Sequence, residues 1–142
     1  MYIAVVMTSE HKQPKQLMIV DDDPDILISL RMLFEAKNIN VVTAENGAEC
    51  IKKLEDGFEG IILLDLMMPV LDGIETIKQM ITEGFIEKNI IIVLTAKKIQ
   101  GEEFNEIYPY IFEYITKPFD MDTLVSAVEK AMHSKPKKLP IL

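Results

Sequence analysis

Residues 61–73 read IILLDLMMPVLDG, and this stretch decides the fold class. Its first four residues form a continuous aliphatic run, which is typical of a parallel strand covered on both faces. Asp65 follows directly, where such a strand ends. Asp72 can cap the first turn of a helix that starts at Gly73, because its side chain can accept a backbone N–H. The stretch therefore predicts a buried strand, a loop that begins with an acid, and a helix.

The same order of strand and helix recurs along the chain. Aliphatic strand runs are predicted at residues 17–20, 40–44, 61–64, 90–94 and 114–116. Helices are predicted to start at Pro24, at Gly47, after Asp72, after Gly101 and near Asp122. Strict alternation of strands and helices predicts an α/β domain with a doubly wound parallel sheet and helices on both faces. We expect five strands and five helices, with the strand at 40–44 towards an edge of the sheet.

Length and charge restrict the class of protein. The chain has 142 residues, enough for one domain, which we place at 17–133 between an N-terminal extension at 1–16 and a C-terminal tail at 134–142. Its formal net charge of −8 argues against general binding to nucleic acid or to an anionic membrane. The single cysteine fits a reducing compartment, so we expect a cytoplasmic protein.

Polar residues follow four of the predicted strands, at the point where each strand ends. Asp21 and Asp22 come after the first strand and Asp65 after the third. Thr95 follows the fourth and Lys117 the fifth. The carboxyl ends of parallel strands meet at one edge of the sheet, where ligands bind in doubly wound folds. We therefore expect three or four carboxylates, the fourth from Asp23, to lie there together with a hydroxyl and an ammonium group.

This set of groups predicts a metal and an anion. Crowded carboxylates repel one another, and a hard divalent cation with oxygen ligands removes the repulsion. Mg²⁺ suits the site best, because few protein ligands leave room for water and phosphate oxygens. Thr95 and Lys117 are hydrogen-bond donors that suit an anion beside the metal. The site is thus typical of a place where a phosphoryl group is transferred to a carboxylate.

Four motifs resemble the receiver domains of response regulators in two-component signalling. They are MIVDDDP at 18–24, ILLDLMMP at 62–69, VLTA at 93–96 and YITKPF at 114–119. The resemblance extends over about residues 17–132, and the motifs stand in the right order at the ends of four strands. It implies a flavodoxin-like sheet with the strand order 2-1-3-4-5.

The resemblance also implies a role for each acidic residue. Asp65 corresponds to the phosphorylated aspartate of the family. Asp22 would coordinate Mg²⁺ directly, and Asp21 would do so directly or through water. The backbone carbonyl of Met67 would be a third protein ligand.

The remaining motif residues would bind the phosphoryl group and change conformation in response to it. Thr95 would donate to one phosphoryl oxygen, and Lys117 would pair with another. Tyr114 holds the position of the switch aromatic, which turns inward when Thr95 moves. The bond between Lys117 and Pro118 is often cis in such domains, although cis bonds are uncommon elsewhere.

The implied function is signalling. A histidine kinase or a histidine phosphotransfer protein would phosphorylate Asp65, and the chain would then control an output protein that docks on the face formed by helix 4, strand 5 and helix 5. It would catalyse only its own phosphorylation and dephosphorylation, and is not expected to be a metabolic enzyme. The sequence departs from the family at residues 108–114, YPYIFEY, where receivers usually carry small residues. This bulky cluster is either a partner surface or a repacked helix end.

Single residues argue against three other functions. A degenerate receiver that serves only as an interaction module is disfavoured, because Asp22, Asp65, Thr95 and Lys117 are all intact. A phosphatase of the haloacid dehalogenase type needs a second aspartate two residues after the nucleophile, and Met67 stands there. A nucleotide or flavin binder needs a glycine-rich loop after the first strand, and that loop is acidic here.

Overall fold

A five-stranded parallel sheet forms the centre of the molecule. The structure is a computed structural model that describes residues 16–68, 70–96 and 101–139. The strands are β1 (Gln16–Val20), β2 (Asn40–Ala44), β3 (Gly60–Leu64), β4 (Ile90–Thr95) and β5 (Ile111–Thr116). Their order in the sheet is β2-β1-β3-β4-β5, so the predicted order is confirmed and β2 lies at an edge.

Five α-helices and two short 3₁₀ turns connect the strands within the described ranges. The helices are α1 (Pro24–Glu35), α2 (Gly47–Glu55), α3 (Gly73–Thr82), α4 (Glu102–Ile107) and α5 (Met121–Met132). The 3₁₀ turns are Phe85–Glu87 and Tyr108–Tyr110. Side-chain caps from Asp23, Asn46 and Asp72 confirm the predicted starts of the first three helices. Helix α5 is capped by Asp120, close to the predicted start.

The core consists of two apolar layers, one on each face of the sheet. Side chains of β1 alternate between them, as the period of a strand requires: Met18 and Val20 pack with α2, α3 and α4. Leu17 and Ile19 pack on the other face with α1 and α5. Strand β4 is buried at every position because helices cover both of its faces. The two filled layers hold the carboxyl ends of the strands in fixed relative positions.

Strand β5 is longer than predicted. It begins at Ile111, whereas the sequence interpretation placed its start at Tyr114. Pro109 is accommodated in the second 3₁₀ turn, and Ile111 then packs beside Ile91 on β4. The register shifts at this point, because the neighbour of Ile91 pairs with Glu113 and not with Phe112. Such a bulge is tolerated because β5 is an edge strand.

The predicted terminal segments are described only in part. Residues 1–15 of the predicted extension lie outside the described residues, and Gln16 is already the first residue of β1. The predicted tail is described as far as Leu139. The boundaries at 17 and 133 stay predictions. None of the described helices is long and apolar enough to cross a membrane.

Candidate functional site

Asp65 lies at the centre of the site, directly after β3. Its backbone N–H donates to the carbonyl of Val20 at 3.1 Å, which continues the pairing of β3 with β1 for one residue. Its carboxylate Oδ1 accepts the backbone N–H of Met67 at 2.9 Å. The residue is only 6% exposed. Backbone hydrogen bonds therefore fix both the position and the orientation of this carboxylate.

The loop after Asp65 is packed tightly against the start of α3. The N–H of Gly73 donates to the carbonyl of Leu66 at 3.1 Å. A Cβ atom at Gly73 would lie 2.6 Å from the carbonyl oxygen of Asp65, far inside ordinary contact distance. Only glycine allows this approach of helix and loop, which holds Asp65 in place.

The two acids after β1 differ in their surroundings. Asp21 is buried, and its Oδ1 accepts the N–H of Asp23 at 2.9 Å. Asp22 is exposed. One carboxylate oxygen from each of Asp21, Asp22 and Asp65 lies within 4.8 Å of the others. The structure thus brings together the three acids that the sequence predicted to meet.

Lys117 enters the site from the end of β5. Its N–H donates to the carbonyl of Thr95 at 2.7 Å, and its bond to Pro118 is cis, as the resemblance implies. Its Nζ lies 2.9 Å from Oδ2 of Asp21 and 3.5 Å from Oδ2 of Asp65. The ammonium group therefore bridges the two buried carboxylates, which the sequence interpretation did not predict. That interpretation assigned Lys117 to the phosphoryl group alone.

The charges of the site shift two pKa values. Burial raises the pKa of Asp65 above its usual value, the Met67 N–H and Lys117 oppose this, and the charge of Asp21 adds to it. Desolvation lowers the pKa of Lys117. The hydrogen bonds and negative charges of Asp21 and Asp65 raise it by more, so the pKa of Lys117 lies above its usual value. Burial and the charge of Asp21 thus disfavour the charged form of Asp65 by more than Lys117 and the backbone donor favour it.

Thr95 ends β4, and its hydroxyl has no partner among the described residues. The residue is fully buried, and its Oγ1 makes no hydrogen bond within the described part of the chain. An unsatisfied buried hydroxyl destabilises a protein by about 1–3 kcal/mol. A polar group retained at this cost is available to a ligand that presents an acceptor oxygen.

The donor set fits Mg²⁺. Three carboxylates supply hard oxygen ligands, and their number is small enough to leave positions for water and a phosphate oxygen. The unpartnered Thr95 hydroxyl lies at the end of the neighbouring strand and suits an anion bound beside the cation. The predicted role of the Met67 carbonyl stays a prediction; the contact given for Met67 is its N–H, which Asp65 accepts.

Tyr114 lies outside the acidic cluster, on β5. Its ring meets the ring of Phe104 edge to face, with centroids 5.6 Å apart and an interplanar angle of 86°. The ring of Phe104 in turn lies 5.5 Å from that of Tyr108. Phe104 was not singled out from the sequence, because one aromatic residue in a short acidic helix carries no signal by itself.

Comparison with known proteins agrees with the geometry of this site. The model of the response regulator receiver domain matches residues 17–129. This chain belongs to the response regulator receiver domain family. One relative is the alkaline phosphatase synthesis transcriptional regulatory protein PhoP of Bacillus subtilis. The two sequences are 37% identical over 108 aligned residues, and the alignment covers 74% of this chain and 43% of PhoP. The chemotaxis protein CheY of Listeria monocytogenes is 32% identical over 117 residues, 82% of this chain and 97% of CheY.

Solved receiver structures share the fold. The CheY-like receiver domain of Methanospirillum hungatei superposes with a TM-score of 0.75 at 34% identity, covering 85% of this chain and 94% of that one. The response regulator TrrA of Thermotoga maritima, solved in complex with Mg²⁺ and BeF, has a TM-score of 0.67 at 29% identity, covering 82% of this chain and 98% of TrrA. The present receiver domain spans less than half the length of PhoP.

Membership of the family places the chain in two-component signalling. Receiver domains are signalling proteins and not classical enzymes, and they interact with histidine kinases and output proteins. Members bind Mg²⁺ at an acidic cluster of the kind that Asp21, Asp22 and Asp65 form here.

Proposed function

We propose that this receiver domain accepts a phosphoryl group on Asp65 from the phosphohistidine of a kinase or a phosphotransfer protein. The observation that carries the proposal is the buried Asp65 carboxylate, which lies beside Asp21 and Lys117. A simple structural carboxylate would have its charge satisfied by one partner. Here three acids share one ammonium group within the described site, so the cluster has an excess of negative charge that suits a divalent cation.

The reaction is a transfer between two nucleophiles. A carboxylate oxygen of Asp65 attacks the phosphorus atom, the P–N bond to the imidazole breaks, and an acyl phosphate forms while the imidazole takes up a proton from solvent. The Met67 N–H on Oδ1 of Asp65 leaves Oδ2 as the oxygen nearer to Lys117. We assign Oδ2 as the attacking atom, because its charge is the less engaged by the backbone.

Each neighbouring group has a defined part. Asp21, Asp22 and Asp65, with the Met67 carbonyl, would hold Mg²⁺, which supplies positive charge against the phosphoryl oxygens when it is bound. The Lys117 ammonium exchanges part of its contact with Asp65 for a phosphoryl oxygen. The Thr95 hydroxyl donates to another phosphoryl oxygen and thereby gains a partner, which it lacks among the described residues.

The movement of Thr95 is the proposed start of the conformational switch. Thr95 and Tyr114 lie on the neighbouring strands β4 and β5. When the hydroxyl moves towards the phosphoryl group, the Tyr114 ring turns inward and its edge contact with Phe104 changes. The surface of α4, β5 and α5 is therefore where an output partner would distinguish the two states.

Phosphorylation of matched variants tests this function. The full chain is incubated with acetyl phosphate and Mg²⁺, and the added mass is measured on the intact protein. We expect the wild type to gain one phosphoryl group and Asp65→Asn to gain none, because asparagine keeps the shape but lacks the nucleophile. Asp72→Asn is the control, since Asp72 caps α3 and asparagine caps helices equally well. Labelling of Asp65→Asn at the wild-type rate would refute the assignment, and EDTA should abolish labelling of the wild type.

A further inference from the structure

The chain beyond α5 turns back under the sheet. Met132, at the end of α5, packs in the apolar layer that contains α1. Leu139 packs in the opposite layer, with α2, α3 and α4. Residues 135–139 therefore cross from one face of the sheet to the other, past the first residues of β4 and β5. We call these five residues the strap.

The strap lies against the sheet with two of its five residues half-buried. Lys135, Pro136 and Lys137 face four side chains that stand at the starts of β4 and β5, with a cavity of about 10 Å³ between them: Ile90, Ile91, Tyr110 and Phe112. A cavity of that size is no larger than the space that one water molecule needs. The strap therefore contacts the domain through the half-buried Pro136 and Leu139, while its lysines are exposed.

The elements beside the strap are short, uncapped or at the edge of the sheet. Helix α4 has six residues, and neither it nor the following 3₁₀ turn has a side-chain cap at its start. Strand β5 lies at the edge of the sheet and contains the bulge at Phe112. Pairing with β4 holds β5, and Lys78 binds Glu103 and Glu106 of α4, so the strap adds apolar contacts to restraints that already exist.

The strap shares its apolar layer with the proposed switch. Leu139, Tyr110, Phe104 and Tyr114 all pack against the same core cluster. An inward turn of Tyr114 changes its ring contact with Phe104 on α4, and α4 leads directly into the 3₁₀ turn that carries Tyr110. A shift of α4 and this turn therefore reaches the contacts of the strap.

We propose that the strap is an internal inhibitor: it stabilises the unphosphorylated arrangement of α4, the Tyr108–Tyr110 turn and β5, and it detaches when Tyr114 turns inward. This inference rests on the proposed function for the switch itself. A contact made in only one of two states shifts the equilibrium towards that state. The strap thus opposes activation, and activation exposes the strap as a segment that a partner can bind.

Trypsin reports detachment in the unmodified full chain. Lys137 and Lys138 are exposed, but trypsin cleaves after them only when the surrounding segment is extended in its active site. The rate of this cleavage therefore rises with the fraction of molecules in which the strap is detached. We expect Mg²⁺ with beryllofluoride, a phosphoryl mimic, to raise the rate of this cleavage by about threefold or more. Cleavage after Lys53 on α2 serves as the internal reference and should not change.

A matched pair of variants tests the reverse effect. Coupling between two sites is reciprocal, so weakening the strap must favour the activated state. We expect Leu139→Ala to bind beryllofluoride about threefold more tightly than the wild type. Met32→Ala is the control: it truncates a side chain of α1 that is 68% exposed and belongs to neither core layer, and it should bind as the wild type does.

The outcomes separate this inference from the proposed function. If Asp65 takes up phosphate while strap cleavage and the affinity of Leu139→Ala stay at wild-type values, the strap is not an inhibitor and the proposed function stands. If Asp65 takes up no phosphate, the proposed function fails. The contact of the strap with α4 and β5 is then tested by the rate of backbone amide hydrogen exchange. Leu139→Ala should then exchange faster than Met32→Ala at residues 102–112, and equal rates would overturn the inference.

Discussion

Replacing Lys117 by methionine tests the electrostatics of the site most directly. Lys117 Nζ lies 2.9 Å from Asp21 and 3.5 Å from Asp65, and the three side chains are 19%, 3% and 7% exposed. Methionine keeps most of the volume of the lysine stem and removes the charge. The variant leaves two buried carboxylates beside each other with no cation between them.

The distances set the size of the effect. At an effective dielectric constant of about 20, the two attractions amount to about 6 and about 5 kcal/mol for charges 2.9 and 3.5 Å apart. Removing the ammonium group also removes its desolvation cost, which offsets most of this sum. We expect a net loss of about 3 kcal/mol in the free energy of unfolding, as found when one partner of a buried ion pair is removed.

The loss should depend on pH in a defined direction. The pKa of Asp65 is already raised by burial, and loss of Lys117 raises it further. A carboxyl group with a raised pKa in the folded state stabilises the fold when it is protonated, and this contribution disappears as the pH rises through that pKa. The difference between the variant and the wild type should therefore be largest at neutral pH and shrink as the solution is acidified through the raised pKa of Asp65.

Urea denaturation without metal, followed by circular dichroism, measures the effect. Lys88→Met is the control, because Lys88 and Glu59 form a surface pair at 3.9 Å whose side chains are more than half exposed, and its loss should change stability by less than about 1 kcal/mol. Mg²⁺ should stabilise Lys117→Met more than the wild type, since no ammonium group competes with it. If Lys117→Met is no less stable than Lys88→Met at neutral pH, the bridging contacts do not stabilise the fold.

Three further predictions concern single residues of the site. Asp22→Asn should weaken Mg²⁺ binding, measured by titration. Because Asp22 is exposed, its metal-free free energy of unfolding should change by less than about 0.5 kcal/mol, and a larger change would contradict its exposed position. Thr95→Val should raise the metal-free free energy of unfolding by about 1 kcal/mol, because it removes a buried hydroxyl that has no partner among the described residues. The variant should also be labelled more slowly by acetyl phosphate. A less stable variant would show that the hydroxyl has a hydrogen-bond partner. Gly73→Ala should destabilise the fold by about 1–3 kcal/mol and weaken Mg²⁺ binding, because the added Cβ would clash with Leu66 and the carbonyl of Asp65. Wild-type values in both assays would argue against the close packing of this loop.

The sequence by itself determined the fold class and the membership of the site. Continuous aliphatic runs such as 61–64 are typical of strands covered on both faces, and the helices between them carry their own caps, such as Asp23 and Asp72. Strand order came from the resemblance to a family. Since parallel strands end at one edge, Asp21, Asp65 and Lys117 had to meet there once the fold was known.

Only the tertiary structure decided how these groups engage one another. Asp21 and Asp22 are neighbours of the same residue type, yet the first is buried on Lys117 and the second is exposed. The start of β5 at Ile111, its bulge, and the ring of Phe104 against Tyr114 likewise have no local signal. The crossing of the strap to place Leu139 in the opposite layer is of the same kind. A local pattern records which face of one element is apolar, whereas pairing across 96 residues, as between Asp21 and Lys117, depends on how several elements pack at once.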